Sequence, residues 1–348
     1  MRKIVAIVGA RPQFIKHAPL DISLRNCFDV VTIHTGQHYD EKMSNIFFSE
    51  LGMRKPKHIL SSGGGSHGFM TGSMMMEIEP IMIAESPSAV LVYGDTNSTL
   101  AGALVSAKLN IPVIHVEAGL RSFNRDMPEE INRILTDNIS TILFAPTQSA
   151  VDQLKTEGIN KGVYVTGDVM LDTLKMVATR IPKKHAEEAY ILMTLHRPYN
   201  VDEIDRIEII LSEVAKLNIT AVFPVHPRTR KVIEEYNLIE KYPLIRMIEP
   251  VGYIENIALL QNSIGLITDS GGMQKEAYFL KKKCVTVRSE TEWVDTLTEG
   301  WNTLLFSPKE LTQLKQVWDR VPGKHYEDLY GDGNASDQIT NIINKELG

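Results

Sequence analysis

The sequence has 348 residues, of which 43% are hydrophobic and 23% charged, and its formal net charge is −6. These values are typical of a globular protein, and the length exceeds what one hydrophobic core usually covers, which predicts two domains. The acidic balance and the lack of a long basic block argue against a nucleic-acid partner.

Cysteine content and apolar runs indicate the compartment. Cys27 and Cys284 lie far apart and match neither a disulfide framework nor a metal-binding pattern, which predicts a reducing, cytoplasmic location. The apolar run from Ile4 ends at Arg11 and is too short for a signal peptide. No run reaches the roughly 20 apolar residues of a membrane-spanning helix, so we expect no membrane partner.

The first half of the chain alternates β-branched segments with amphipathic helical segments. The predicted strands are Ile4–Val8, Val30–His34, Ala89–Tyr93, Val113–Val116, Ile142–Phe144 and Val163–Val165. The predicted helices are Ile15–Arg25, Asp40–Leu51, Thr71–Ala84, Thr99–Leu109 and Glu129–Ser140. This alternation predicts a parallel sheet covered by helices on both faces.

A second α/β series begins after the break at Ile181-Pro-Lys-Lys184. Its predicted strands are Tyr190–Thr194, Ala221–Val225, Ile245–Ile248, Ile264–Thr268, Val285–Val287 and Thr303–Phe306. We therefore predict an α/β protein of two Rossmann-like doubly wound domains that face a cleft. The N-terminal domain comprises residues 1–169 with the C-terminal helix 334–348 packed back on it, and the second domain comprises residues 170–333.

Polar and charged residues follow nearly every predicted strand, at the sheet edge where ligands bind in such folds. Three carboxylates stand out: Asp95, Glu117 and Glu129. Several acids in a closing cleft can provide a proton acceptor and a proton donor at neutral pH. The alternative for Asp95 is the N-cap of the next helix, and for Glu129 a first-turn acid after Pro128.

Cationic residues form a second set after the strands. They are Arg11, Lys16, His196, Arg197, His226 and Arg228. Cations in such positions suit a diphosphate. Each histidine taken alone is as consistent with a structural role, whereas two cationic side chains at His196-Arg197 serve no core. The sequence has no HExxH motif and no GxGxxG after the first strand, so we expect neither a metal nor a nicotinamide cofactor.

The segment Ile264–Glu276 reads as a strand that ends at Thr268, a turn at Ser270–Gly272 and a helix. Backbone N–H groups at a glycine-rich helix start suit a phosphate. Glu276 lies about one turn further on, where a carboxylate can hold ribose hydroxyls. The alternative is an ordinary strand–helix turn with Ser270 as N-cap.

Taken together, these segments resemble the non-hydrolysing UDP-N-acetylglucosamine (UDP-GlcNAc) 2-epimerase family from the first strand to the last helix. The residues that carry the resemblance are Gly9-x-Arg-Pro-x-x-x-Lys16, Gly94-Asp-Thr96, His115-Val-Glu-Ala-Gly-Leu-Arg121, Pro128-Glu-Glu-x-Asn-Arg133, His196-Arg197, Pro224-Val-His226 and Thr268-Asp-Ser-Gly-Gly272 with Gln274 and Glu276. The resemblance implies a GT-B-like fold, a UDP-sugar substrate, no added cofactor and a homodimer.

The resemblance also implies the reaction. A carboxylate removes the proton at sugar C2 as UDP leaves C1, and the resulting 2-acetamidoglucal is reprotonated on its other face. Asp95, Glu117 and Glu129 resemble the family's acid/base carboxylates, and His196 its catalytic residue near the diphosphate. The residues expected to bind substrate are Arg11, Lys16, Arg133, Arg197, His226, Ser270, Gly271, Gly272 and Glu276.

We expect the chain to interconvert UDP-GlcNAc and UDP-N-acetylmannosamine (UDP-ManNAc). The first motif departs from the family's usual Gly-Thr-Arg-Pro-Glu at Ala10 and Gln13. The segments 63–68 and 121–128 look more like the branch that epimerises UDP-2,3-diacetamido-2,3-dideoxyglucuronate. Arg125 or His67 could serve the uronate carboxylate, and the alternative is a solvated loop charge. The same UDP-sugar motifs are also compatible with a GT-B glycosyltransferase or with a regulator that binds a UDP-sugar.

Overall fold

The computed structural model describes residues 1–37, 50–181 and 188–348. They divide into two compact units: unit 1 is Met1–Thr179 with Glu327–Gly348, and unit 2 is Arg180–Tyr326. Each unit contains a parallel sheet with helices, which confirms the predicted α/β class. Within these ranges no helix has the length and apolar character needed to cross a membrane.

The secondary structure follows the predicted alternation. The described strands are β1 Lys3–Val8, β2 Asp29–His34, β3 His58–Ile59, β4 Ala89–Tyr93, β5 Val113–Val116, β6 Ile142–Ala145, β7 Val163–Val165, β8 Tyr190–Thr194, β9 Thr220–Pro224, β10 Ile245–Ile248, β11 Gly265–Thr268, β12 Lys283–Thr286 and β13 Asn302–Leu304. The described helices are α1 Arg11–Leu24, α2 His67–Glu85, α3 Asn97–Lys108, α4 Pro128–Ile139, α5 Gln148–Thr156, α6 Val169–Ala178, α7 Pro198–Val201, α8 Ile204–Ala215, α9 Pro227–Glu235, α10 Leu238–Lys241, α11 Tyr253–Asn262, α12 Gly271–Phe279, α13 Pro308–Leu311, α14 Leu314–Trp318 and α15 Ala335–Glu346.

The sheet of unit 1 has the strand order β3-β2-β1-β4-β5-β6-β7, and neighbouring strands run parallel. The order reverses between β1 and β4, which is the switch point where ligands bind in open α/β sheets. The loops that leave these two strands carry Gly9–Arg11 and Gly94–Asp95. The topology therefore places the first sequence motifs at the ligand-binding edge.

Both faces of this sheet are buried, because alternate side chains of a strand point to opposite faces. Ile4, Ala6 and Val8 of β1 belong to a core cluster that includes Phe14 of α1 and Ile339 of α15. Val5 and Ile7 belong to the cluster on the other face, with methionines of α2 and alanines of α3. The C-terminal helix α15 thus completes the first face, and Ser23 of α1 donates to Asp337 at 2.6 Å.

Unit 2 repeats the arrangement with the strand order β10-β9-β8-β11-β12-β13, again with parallel pairs. Its switch point lies between β8 and β11. The loops that leave these strands carry His196-Arg197 and Asp269–Gly272. The main core of the unit includes Ile191, Met193 and Ile267.

The observed units and elements differ from the predicted ones at the domain boundary and at strand β3. Helix α6 packs within unit 1, where the Thr173 hydroxyl donates to the carbonyl of Ile15 at 2.6 Å. The chain therefore passes from unit 1 to unit 2 after Thr179 and not at residue 169. Strand β3 was not predicted, because two residues carry no periodicity. Most of the predicted helix Asp40–Leu51 and the break after Ile181 lie outside the described residues.

Candidate active site

A buried ion pair lies at the switch point of unit 1. The Lys16 ammonium, on α1, contacts Oε1 of Glu117 at the end of β5. Both residues are less than a tenth exposed. Taking two charges out of water costs several kcal/mol unless they are paired, so this contact holds both side chains in place. A carboxylate held in a fixed position at this edge of the sheet is a candidate proton acceptor.

The backbone at Glu117 is strained. Its φ is +76°, in the left-handed region that non-glycine residues rarely adopt. Gly94, with φ +61°, packs against the ion pair: a Cβ there would lie 3.1 Å from Glu117 Oε1 and 3.2 Å from Lys16 Nζ. Glycine is required at this position by both conformation and space. Strain of this kind costs about 1–3 kcal/mol and is concentrated at functional sites.

A second ion pair joins Asp95 to Arg133 of α4. Arg133 is buried, and its other terminal nitrogen contacts Glu130 at 2.7 Å. Glu130 accepts hydrogen bonds from the backbone N–H groups of Ser122 and Phe123, both at 2.9 Å. Glu130 therefore anchors the guanidinium to the loop after β5, and the guanidinium orients the Asp95 carboxylate, which is 27% exposed.

The structural roles considered for the carboxylates have different outcomes. Asp95 is not the N-cap of α3, because Thr96 holds that position and its hydroxyl accepts from Thr99 N–H at 3.3 Å. Asp95 is thus not needed to cap that helix. Glu129 does lie in the first turn of α4 after Pro128, with a half-buried side chain. A helix-terminal acid and an acid/base residue remain compatible at that position.

His115 links the loops that carry Asp95 and Glu117. Its ring is fully buried, with Nε2 2.8 Å from the carbonyl oxygen of Gly94 and Nδ1 2.7 Å from Asp137 Oδ1. Asp137 also accepts from Gly119 N–H at 3.1 Å and pairs with Arg121 at 2.7 Å. The imidazole therefore connects the end of β4 to α4 and, through Asp137, to the loop after β5.

Gln13 fixes the loop after β1. Its side-chain oxygen accepts from the N–H groups of Gly9 at 2.8 Å and Ala10 at 3.1 Å. Its amide donates to the carbonyl of Tyr93 at 2.9 Å and to the hydroxyl of Thr99 at 3.0 Å. A neutral amide satisfies both sets of partners at once, because it is both donor and acceptor. The departure from the usual family motif at this position thus has a structural role.

At the switch point of unit 2, Asp269 orients His196. Asp269 is fully buried and accepts from the N–H groups of His196 and Arg197 and from the amide of Asn200. Its Oδ1 lies 2.9 Å from His196 Nδ1. Burial alone would raise the pKa of Asp269, but the hydrogen bonds and the charge of His196 bring it below its ordinary value. An ionised Asp269 keeps the proton on Nδ1 and turns Nε2 of the half-exposed ring outward.

The helix start after β11 is open. Ser270 is at the N-cap of α12, but its side chain makes no capping hydrogen bond within the described structure. Gly271 and Gly272 form the first turn, and both are half-buried. Glu276, one turn further on, is 3% exposed. The first backbone N–H groups of α12 have no capping side chain from Ser270, which suits an anion.

The remaining predicted residues lie at the ends of strands or the starts of helices. Arg11 begins α1 and is half-buried, Arg197 is the N-cap of α7 and half-buried, and His226 is exposed after β9. Among the residues that the structure describes, no group of three or more histidine, cysteine, aspartate or glutamate side chains has a metal-binding arrangement.

Sequence reasoning missed several residues of the site. Glu130, His115, Asp137 and Asp269 support the predicted side chains. Glu130, His115 and Asp269 lie inside motifs that were read for other residues, and Asp137 lies outside the motifs. The available signal was a charged or ionisable residue at a position that strand periodicity predicts to be buried, as at His115 and Asp269. Their partners are not predictable from one sequence, because the contacts join positions 21 and 73 residues apart.

A distant likeness shows the fold alone. A glycosyltransferase from Streptomyces sp. SF2575 superposes with a TM-score of 0.55 at 13% identity, over 100% of this chain and 99% of the other. The predicted GT-B-like class is confirmed by this likeness and by the two parallel sheets.

Similarity to 2-epimerases extends over nearly the whole chain. The family model described as UDP-N-acetylglucosamine 2-epimerase matches residues 21–344. The chain is 51% identical to a UDP-N-acetylglucosamine 2-epimerase homolog of Methanococcus maripaludis, over 98% of this chain and 99% of the relative. It is 46% identical to the UDP-2,3-diacetamido-2,3-dideoxy-D-glucuronate 2-epimerase of Pseudomonas aeruginosa, over 99% of both chains.

The solved structure of the Methanocaldococcus jannaschii UDP-GlcNAc 2-epimerase in complex with UDP-GlcNAc and UDP has a TM-score of 0.89 to this chain. It is 40% identical and covers 99% of each chain. These matches confirm the family predicted from the motifs and the isomerase class of the enzyme. The chain belongs to the UDP-N-acetylglucosamine 2-epimerase family.

Proposed function

We propose that this chain is a non-hydrolysing 2-epimerase that interconverts UDP-GlcNAc and UDP-ManNAc. The observation that carries the proposal is the pair of cation-held carboxylates, Glu117 with Lys16 and Asp95 with Arg133, at the switch point of unit 1. An anion-binding enzyme or regulator needs cations there, but it does not need acids paired with them. Two such acids are what removal and return of a proton require.

The proposed reaction is redox-neutral, so it needs no electron carrier. A carboxylate takes the proton from sugar C2, the C2–H electron pair forms the C1–C2 double bond, and UDP leaves with the C1–O pair. Protonation of C2 on the opposite face and return of UDP to C1 complete the inversion. Asp95, Glu117 and Glu129 are proposed as the acid/base set.

Unit 2 is proposed to bind the UDP group. Phosphate oxygens would accept from the N–H groups of Ser270, Gly271 and Gly272 at the start of α12, and Glu276 would hold the ribose hydroxyls. His196, oriented by Asp269, is proposed to face the leaving diphosphate. The other proposed substrate-binding residues are Arg11, Lys16, Arg133, Arg197 and His226.

The activity is tested by incubating the protein with UDP-GlcNAc in D2O, without an acceptor sugar. Proton NMR should show loss of the C2 signal and growth of deuterated UDP-ManNAc, since each turnover exchanges the C2 proton with solvent. A glycosyltransferase leaves C2 protonated and needs an acceptor, and a regulator leaves the substrate unchanged. Absence of C2 exchange in both UDP-GlcNAc and the diacetamido-uronate would refute the proposal.

The diacetamido-uronate is the second candidate substrate, favoured by the 46% identity to the Pseudomonas relative that bears this name. Arg125 is exposed in the loop before α4 and is the proposed partner of the uronate carboxylate. A charge-assisted hydrogen bond of about 1.5–3 kcal/mol would make the uronate at least about tenfold better in kcat/KM. Arg125→Ala should erase that preference. Equal rates on both substrates, or a preference that survives the substitution, would leave UDP-GlcNAc as the assignment.

We also propose that the chain forms a homodimer through α2. Phe69, Met76 and Ile83 are spaced seven residues apart on this helix and are 67%, 78% and 65% exposed. An apolar stripe of this length on one helix is typical of an interface, and a second copy can cover it symmetrically. Met76→Glu should give a monomer by light scattering, whereas Glu79→Gln, on the exposed surface of the same helix, should not. A monomeric wild type would contradict this proposal.

A cytoplasmic location is proposed from the cysteines. Cys27 and Cys284 are both free, and burial raises the pKa of the Cys284 thiol to about 12. Free thiols are typical of a reducing compartment. Fractionation of the producing cell should place the protein with cytoplasmic markers.

A further inference from the structure

Arg288 is a buried cation beside the helix start that is proposed to bind phosphate. It follows strand β12 and is 2% exposed. Both terminal nitrogens of its guanidinium are buried; Nη2 is in an ion pair with Glu292, and Nη1 has no hydrogen-bond partner in the described part of the chain. Buried charged groups are normally hydrogen-bonded, because water is lost on burial and must be replaced. This guanidinium therefore has donors available for a ligand.

The free Nη1 donor lies at the first turn of α12. A Cβ placed on Gly271 would lie 3.6 Å from Arg288 Nη1, 2.6 Å from Glu292 Oε1 and 3.4 Å from Trp293 Nε1. These three side chains thus surround the backbone of Gly271, and only glycine leaves room between them. The N-cap residue Ser270 contributes no capping side-chain bond. The helix N-terminus and the unsatisfied guanidinium are two independent features that suit the same anion.

Glu292 keeps the guanidinium in place. Its Oε2 lies 3.0 Å from Arg288 Nη2, in an ion pair whose two side chains are 10% and 2% exposed. Burial alone would lower the pKa of Arg288, but the charges of Glu292 and Tyr199 and the contact with Glu292 raise it. Nη1 is left pointing to the space at Gly271, with its charge intact. A fixed, charged fork at a helix start is pre-organised for a phosphate oxygen.

We propose that Arg288 is a further substrate-binding residue, whose guanidinium donates hydrogen bonds to the diphosphate of the nucleotide-sugar at the N-terminus of α12. The inference rests on the proposed UDP site of unit 2 and adds to it a cation from outside the glycine motif. In the elimination step the C1–O bond breaks and negative charge grows on the leaving diphosphate, so the same contact strengthens as the reaction proceeds.

The test compares UDP with uridine, which lacks phosphate. Calorimetry with UDP and saturation-transfer NMR with uridine are run on the wild type, Arg288→Met and Arg230→Met. Arg230, in the same unit, pairs with Glu249 and serves as the matched control. Arg288→Met should weaken UDP binding at least about tenfold and leave uridine binding within about twofold, since one charge-assisted contact is lost. The control should change neither affinity.

Equal loss of UDP and uridine affinity in Arg288→Met would show a structural role and overturn the inference, as would unchanged UDP affinity. If Arg288→Met does not fold, as judged by thermal unfolding, Arg288→Lys replaces it. That variant keeps the charge but loses the fork, so it should weaken UDP binding selectively and to a smaller extent. Failure of the wild type to bind UDP would instead refute the proposed UDP site. The two failures are therefore distinguishable.

Discussion

At the scale of single residues, Glu117 combines burial, a paired cation and a backbone φ of +76°. Burial of the charge and the strained backbone both cost stability, and the paired cation offsets only part of that cost; together they indicate selection for a reactive geometry over a relaxed one. Lys16 and Gly94 leave the carboxylate little freedom to move. The same residue was predicted from sequence as an acid that ends an apolar strand.

Replacement of Glu117 by glutamine removes the proton acceptor while it keeps the shape of the side chain. We expect kcat to fall by about 10²–10⁴-fold, the usual contribution of a general acid or base. Affinity for UDP should stay within about twofold, because UDP is bound by residues of unit 2. Turnover by NMR and UDP calorimetry measure the two quantities. The exposed Glu79→Gln is the control, and a Glu117→Gln variant with normal turnover would exclude Glu117 from the chemistry.

Glu276 provides the corresponding prediction for binding. It is 3% exposed on α12, one turn after the helix start. Glu276→Ala should weaken UDP binding by about 1–3 kcal/mol, because ribose hydroxyls and their protein partner would be left unpaired. UDP affinity measured by calorimetry is the check, and wild-type affinity in this variant would remove the ribose assignment.

At the scale of elements, the loops after β4 and β5 depend on His115 for their relative position. Its replacement by phenylalanine removes the imidazole contacts to the Gly94 carbonyl and to Asp137 Oδ1. Small displacements of catalytic groups are costly, so kcat should fall by about 10- to 100-fold. Since UDP binding is assigned to unit 2, UDP affinity should not change. His115→Gln restores one donor and should recover part of kcat. Equal kcat in both variants and the wild type would contradict this role.

Glu85 connects three elements of unit 1 and provides a pH prediction. Hydrogen bonds from Lys3, Lys57 and His58 lower its pKa to about 2. A depressed carboxyl pKa contributes stability above the unfolded pKa of about 4.3, and that stability is lost as pH falls towards 2. Glu85→Gln should therefore lower the free energy of unfolding at pH 7 by about 1–2 kcal/mol after solvent screening, and with it the unfolding temperature.

Thermal unfolding between pH 7 and pH 2.5 measures this effect. The difference between wild type and Glu85→Gln should be constant from pH 7 to about pH 5 and should shrink as the pH falls below the unfolded pKa of about 4.3. Glu79→Gln, with an exposed side chain on the same helix, should show no comparable dependence. A difference that is constant with pH would mean that the Glu85 contacts act through shape and not through charge.

The elements were largely predictable from sequence, and the supporting contacts were not. Strand periodicity located every described strand except β3, which has two residues. The start of α1 was placed at Ile15, although the helix begins at Arg11 with Pro12 in its first turn, as the preference for proline there allows. The domain limit was set at 169 because Gly167-Asp168 reads as a turn, whereas α6 packs on α1 through contacts that no local signal reports.

At the scale of the whole molecule, each unit has its own sheet and its own core, and each presents motif residues at its switch point. The family motifs predicted which residues occupy these edges. The ion pairs between these residues could not be predicted, because Lys16 and Glu117 are 101 residues apart in sequence and Arg133 and Asp95 are 38 apart. Arg288 lies outside the motifs from which the family resemblance was read, and the fold brings it to the start of α12.

The measurement that tests the proposed mechanism most directly is positional isotope exchange in UDP-GlcNAc. Substrate is labelled with ¹⁸O in the oxygen that bridges C1 and the β-phosphorus. If UDP is eliminated and re-added, the label must appear in non-bridging positions of the β-phosphate, which ³¹P NMR resolves, in parallel with deuterium entry at C2. The predicted result is that ¹⁸O appears in non-bridging positions and that deuterium enters C2 in the same incubation. Deuterium at C2 with the ¹⁸O still bridging would contradict elimination and re-addition of a UDP whose β-phosphate rotates freely.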